Sequence, residues 1–234
     1  MSESVSERLA EVKKNIEACA EKCGRTGEVN LICVSKTKPS EMIIEAYNTG
    51  ERNFGENYVQ ELCAKAEELP KDIIWHMIGP LQKNKVRKVV KYAEYIHAVD
   101  SLDLAAFIDK EAERIGKVQK IMLELNMAAE ESKHGFKPED ALDVAVKISE
   151  LKNISLVGLM CIPPLANEPE DNREFFRGLR EYKDKINSLG IDGLKLTELS
   201  MGMTNDYECA IEEGASYIRI GTAIFGARDY SAKQ

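Results

Sequence analysis

The sequence predicts a closed (β/α)8 barrel, and three observations carry that expectation. Short β-like apolar runs alternate with helical patterns along the chain, the runs number eight, and no glycine-rich fingerprint follows the first. Alternating βα units imply a parallel sheet, and eight of them close it into a barrel. An open, doubly wound sheet is the alternative, but it would usually carry a Gly-rich turn after its first strand. Lys36-Thr37-Lys38-Pro39 stands there instead.

The elements follow in order. Val5, Leu9, Val12, Ile16 and Cys19 recur at steps of four and three, the stripe of an amphipathic helix over residues 1–24. Gly24 and Gly27 end it. Strands are expected near Leu31–Ser35, Asn53–Gly55, Ile73–Ile78, Tyr95–Val99, Lys120–Leu125, Ser155–Cys161, Leu194–Leu199 and Tyr217–Ile220. Helices begin near Ser40, Tyr58, Gln82, Ser101, Pro138 and Asn205. Pro138 suits a first helical position, and Asn205 with Glu208 resembles a capping box. The clearest helical ladder is Phe175, Leu179, Tyr182, Ile186, Leu189. No linker or low-complexity tract divides the chain, so 1–234 reads as one domain with the barrel at 28–228. Met127–Phe136 and Pro163–Asp171 read as long loops after strands 5 and 6, where barrel lids form.

Composition narrows the function. With 44% hydrophobic and 31% charged residues, the 234-residue chain can build a core and stay soluble. A net charge of −8 argues against nucleic-acid binding. The N-terminus has no signal-peptide core, and the apolar stretch 156–165 is too short to span a bilayer. A cytoplasmic location is expected. The six cysteines form no CxxC pair and the three histidines lack metal-motif spacing, so no metal is expected. Cys33 and Cys161 read as core thiols, and His76 as a satisfied core histidine. Lys83, Arg87 and Lys91 form a basic stripe that reads as a solvated face.

Lys36 carries the chemistry. An ammonium at the end of a buried strand is costly unless used or paired. To attack an aldehyde the amine must be unprotonated, the form that burial and nearby cations favour. A lysine snorkelling from a strand end is the competing reading, and spacing alone leaves both open. Ser200, Gly202, Gly221 and Thr222 offer hydroxyls and unobstructed N–H groups suited to a phosphate. In a barrel, phosphate sites often use the loops after strands 7 and 8, which puts these segments opposite Lys36. A phosphorylated aldehyde held as a Schiff base fits that arrangement. Arg219, at the end of strand 8, is expected to pair with an acid such as Glu198 or to reach a ligand ring.

Six segments together resemble one family: VSKTKP at 34–39, FGENYVQE at 54–61, WHMIGPLQKNK at 75–85, ESKHGF at 131–136, LSMGM at 199–203 and IRIGTAIFG at 218–226. The chain resembles the pyridoxal phosphate homeostasis proteins, also called the YggS/PROSC family. Phe54 stands where the family often has tyrosine. The resemblance implies a barrel similar to the N-terminal domain of alanine racemase, with pyridoxal 5'-phosphate (PLP) as an internal aldimine on Lys36. It implies that Ser200, Gly202, Met203, Gly221 and Thr222 line the phosphate, that Arg219 faces the pyridine nitrogen and that Asn57 sits near the ring. An arginine there would leave the nitrogen unprotonated and the ring a weak electron sink.

Three functions compete. One is a non-catalytic PLP carrier that serves vitamin B6 homeostasis, with PLP-dependent apoenzymes as partners. The second is a PLP enzyme such as a racemase or decarboxylase. The third is a cofactor-free Schiff-base aldolase. Racemases of this type add a second domain, whereas only 13 residues follow Gly221, which favours the carrier. A monomer is expected rather than an obligate dimer.

Overall fold

The structure is a computed structural model that describes residues 3–130 and 134–227. Eight parallel strands close a barrel in chain order: β1 Asn30–Val34, β2 Asn53–Glu56, β3 Ile74–Met77, β4 Ala93–Val99, β5 Gln119–Glu124, β6 Ile154–Met160, β7 Glu198–Met203 and β8 Tyr217–Ile220. β8 returns to β1 with Leu31 opposite Ile218 and Cys33 opposite Ile220. The helices are α1 Val5–Lys22, α2 Ser40–Asn48, α3 Val59–Glu68, α4 Val86–Tyr92, α5 Leu102–Arg114, α6 Ala141–Ser149, α7 Arg173–Ser188, α8 Tyr207–Glu212 and the single turn α9 Thr222–Phe225. No helix among the described residues is long and apolar enough to cross a membrane.

Side-chain parity builds two cores. Ile32, Ala98, Met122, Met160 and Tyr217 point inward and fill the barrel. Alternate residues such as Leu31, Cys33, Phe54 and Ile121 point outward and pack under the helices. α1 lies outside the ring, against α2, α8 and α9. Its start is fixed by a reciprocal cap, in which the Glu7 N–H donates to Ser4 and the Ser4 N–H donates to Glu7.

Three expectations are corrected. The seventh strand is Glu198–Met203, not Leu194–Leu199. Leu194 and Leu196 are buried and alternate like a strand, but the Leu196 N–H donates to Asn187 Oδ1 at the end of α7 rather than to the sheet. Ser200, Gly202 and Met203 therefore lie within β7. Asn205 does not cap α8; that place falls to Asp206, which takes the Met203 N–H at 2.6 Å. In α7 the buried stripe runs through Phe176, Leu179 and Ile186, and Leu189 is 41% exposed. Phe175 and Phe176 are adjacent, so periodicity alone did not tell which one turns inward.

Candidate functional site

The turn after β1 places Lys36. The Ser35 hydroxyl donates to Glu56 Oε1 at 2.7 Å, on the outer side of the barrel. Lys36, the next residue, opens the turn that follows β1 and is half-buried. Thr37 adopts φ 62°, a left-handed conformation costly for a β-branched residue. A clamp holds it there. The Thr37 N–H donates to Glu61 Oε2 at 2.7 Å. Lys65 Nζ donates to Glu61 Oε2 at 3.0 Å, Glu56 Oε1 at 2.8 Å and the Ser35 carbonyl at 2.9 Å. Glu56 is fully buried; burial pushes its pKa up and the Lys65 ammonium pulls it back. Lys38 reaches the other way, donating to the Ala227 carbonyl at 2.7 Å and tying this turn to the chain beyond α9.

The register between β1 and β8 brings the remaining pieces to the same rim. Cys33 pairs with Ile220, so Val34 lies level with Gly221 and Lys36 two residues beyond. A Cβ at Gly221 would stand 3.1 Å from the Val34 carbonyl oxygen, so this close approach favours glycine. Gly202 has φ 87°, and a Cβ there would lie 2.5 Å from that of Ala210. It bends the end of β7, where the register with β8 shifts between Ser200 and Met203.

Arg219 is 5% exposed. Its Nη1 donates to Ser200 Oγ at 2.6 Å and its Nη2 to the Cys161 carbonyl at 2.9 Å. The expected pairing with Glu198 does not occur; the Glu198 carboxylate accepts from the neighbouring Thr197 hydroxyl at 3.3 Å. Ser200 is fully buried, and its hydroxyl lies 2.8 Å from His97 Nδ1. His97 Nε2 is 3.0 Å from His76 Nδ1, and His76 Nε2 is 3.0 Å from Asn53 Oδ1. Tyr95 stacks on His76 with ring centroids 4.8 Å apart. Burial lowers the His76 pKa to about 3 and that of His97 well below its ordinary value. His76 is thus the satisfied core histidine that the sequence indicated, while His97, in the same alternating setting on β4, escaped notice.

Two cavities open at this end of the barrel. One of about 590 Å³ lies between the ends of β6 and β7, bordered by Ile162 to Asn167, Met203, Thr204 and Asp206. The other, about 210 Å³, is bordered by Asn57, Ile78, Glu124, Asn126, His134 and Ile162. Asn57 Oδ1 is buried there with no hydrogen-bond partner among the described residues. Glu124 is 7% exposed; burial, and then Asp100, raise its pKa. His134 Nδ1 lies 3.2 Å from Asp100. Residues 131–133 of the ESKHGF segment fall outside the described residues.

The sequence reading missed Glu56, Glu61, Lys65, Thr204 and Glu124. Glu61 and Lys65 stand at an i, i+4 spacing that reads as an ordinary helix-surface pair. Glu124 ends a strand with inward parity, a position that alternation could have flagged. In the basic stripe, Lys83 pairs with Asp103 at 2.6 Å and Arg87 is exposed, as a solvated face requires.

A parallel eight-stranded barrel with a lysine after β1 and an inward arginine on β8 defines a class. The profile of the alanine racemase N-terminal domain family matches residues 8–229, and the chain belongs to that barrel family. An alanine racemase from Clostridium difficile has the same fold at TM-score 0.70 and 16% identity, with 94% of this chain matching only 57% of that one. Within the class the chain is a member of the pyridoxal phosphate homeostasis protein family. It is 44% identical over 227 residues to the pyridoxal phosphate homeostasis protein of Aquifex aeolicus, spanning 96% of this chain and 98% of the relative. The structure of PipY from Synechococcus elongatus with PLP bound superimposes at TM-score 0.84, with 37% identity over 95% of this chain and all of that one.

Proposed function

We propose that this protein binds PLP covalently through Lys36 and serves intracellular vitamin B6 homeostasis as a carrier rather than a catalyst. The observation that carries the reading is the β1–β8 register, which sets Gly221 level with Val34, two residues before Lys36, with Arg219 on the strand that leads there. Family membership and the PLP-bound PipY relative support it.

The residues present fit the cofactor. Gly221 brings the end of β8 close against Val34 of β1, and Asn57 keeps an unbonded buried oxygen near the mouth. When bound, PLP supplies an aldehyde that an amine can capture and a ring that withdraws electrons. Lys36 supplies the amine, and Gly202, Met203, Gly221 and Thr222 form the phosphate wall. Arg219 donates toward the ring nitrogen, and Asn57 flanks the ring. Ser200 takes part through Arg219, because its hydroxyl is engaged inside the barrel. The Met203 N–H is committed to Asp206, so Met203 serves as wall rather than donor.

The carrier reading rests on proton supply. His76 and His97 are bonded at both ring nitrogens inside the barrel and do not act as shuttles. A guanidinium facing the ring nitrogen leaves it unprotonated. Glu124 borders the mouth with a pKa that burial raises, and it makes the test a sharp one. Deuterium wash-in at the α-carbon of alanine and serine should stay at trace level. Lys36-dependent exchange on the order of 1 s⁻¹ or faster would favour the racemase-like alternative. Six free cysteines accord with a reducing cytoplasm, and PLP-dependent apoenzymes are the proposed recipients. The chain is proposed to act as a monomer.

A further inference from the structure

Arg219 poses a physical problem. A guanidinium that is nearly fully buried ordinarily faces a carboxylate. Its bonded acceptors are instead neutral, the Ser200 hydroxyl and the Cys161 carbonyl. A serine oxygen is a modest acceptor unless its own proton is drawn away.

The barrel interior provides that pull. Arg219 can only donate, so Ser200 Oγ accepts from it and has one proton left to give. The His97 Nδ1 takes it. His97 must then carry its proton on Nε2, which donates to His76 Nδ1, and His76 donates from Nε2 to Asn53 Oδ1. The reverse direction would have His97 donate to a serine oxygen already receiving Arg219, leaving the Ser200 proton with no side-chain acceptor among the described residues. Every proton is used only in the forward direction, and each bond polarises the next. Tyr95 and Tyr217 pack around both imidazoles, which are fully buried.

We infer that the chain Asn53–His76–His97–Ser200 is a positioning device for Arg219, giving the guanidinium strong acceptors that carry no negative charge. A carboxylate partner would cancel the arginine's field. A neutral chain leaves the full positive charge facing the ring nitrogen and so holds that nitrogen unprotonated. This inference deepens the PLP reading and rests on it, but its first test does not.

In PLP-free protein, ¹⁵N correlation spectra of the histidines should show His76 and His97 as neutral Nε2–H tautomers from pH 6 to 8. An Nδ1–H tautomer at His97, or its protonation in that range, would overturn the inference. The second test uses protein loaded with [¹⁵N]PLP, with loading checked by intact mass. The wild-type ring nitrogen should stay in the unprotonated chemical-shift range. In His97→Phe it should move toward the protonated range, and PLP affinity should fall about tenfold, the loss of one charge-assisted bond. His97→Asn, whose amide can place an acceptor near the Nδ1 position, should restore both. Ser200→Ala, the smaller change, replaces His97→Phe if that variant fails to fold. A folded variant with unchanged ring-nitrogen shift and affinity would refute the device while leaving the carrier reading intact. Failure of wild type to load PLP would refute the carrier reading, leaving the tautomer result to stand or fall alone.

Discussion

At the scale of single residues, the site separates groups that hold charge from groups that place them. Lys36 stands between Ser35, which is drawn outward to Glu56, and Thr37, which is held at a positive φ. Gly221 lets the chain pass close to Val34. A phosphate received by several N–H donors is held by charge-assisted bonds of about 1.5–3 kcal/mol each. Pyridoxal without the phosphate should therefore bind at least ~100-fold more weakly than PLP in a fluorescence titration; equal affinities would show that the β7 and β8 ends do not hold a phosphate. The places of Lys36, Gly221 and Arg219 at the ends of β1 and β8 were legible in the sequence because strand ends and glycines leave local signals. The commitment of Ser200 to Arg219 and His97 was not. It joins residues 103 positions apart across the barrel, and no local pattern records such a contact.

At the scale of elements, the β1 turn is built by its neighbours β2 and α3. Lys65 of α3 is nine-tenths buried and bonds two carboxylates and a carbonyl. Removing one member of a buried ionic group strands the others, a loss of about 3–5 kcal/mol. Lys65→Met should therefore destabilise the fold by about that much in urea unfolding, and adding Glu56→Gln should recover part of it. A loss below about 1 kcal/mol, the range of surface pairs, would mean the clamp does not hold the turn. The element order and most strand positions followed from alternation, because outer and inner cores impose it on every strand. β7 was displaced by four residues at its start because Leu194 and Leu196 alternate while serving the end of α7. The loop after β5 is fastened at its base, where the Phe136 N–H donates to the Glu124 carbonyl and the Asn126 N–H to the Phe136 carbonyl.

At the scale of the whole molecule, the barrel is a polar chain wrapped in an apolar one, and acid should expose this. The His76 pKa is depressed to about 3 by burial, and His97 is depressed as well. In the unfolded chain both titrate near 6.5 and bind protons that the native state refuses. Their contribution is fully present above pH 6.5 and is lost as pH falls toward their folded values. Between pH 7 and 5 each should cost about 2 kcal/mol of unfolding free energy. His97→Asn should remove about half of that pH dependence in paired urea titrations; an unchanged slope would mean that His97 is protonated in the native state. The closed topology also makes the central claim possible, since only closure of β8 onto β1 sets a lysine from residue 36 beside a glycine from residue 221. The most direct test of that claim is borohydride reduction of the PLP-loaded protein followed by peptide mapping. A single pyridoxyl-phosphate adduct on Lys36, absent from Lys36→Ala, is the predicted result; an adduct mainly on Lys38, or undiminished covalent labelling of Lys36→Ala, would contradict it.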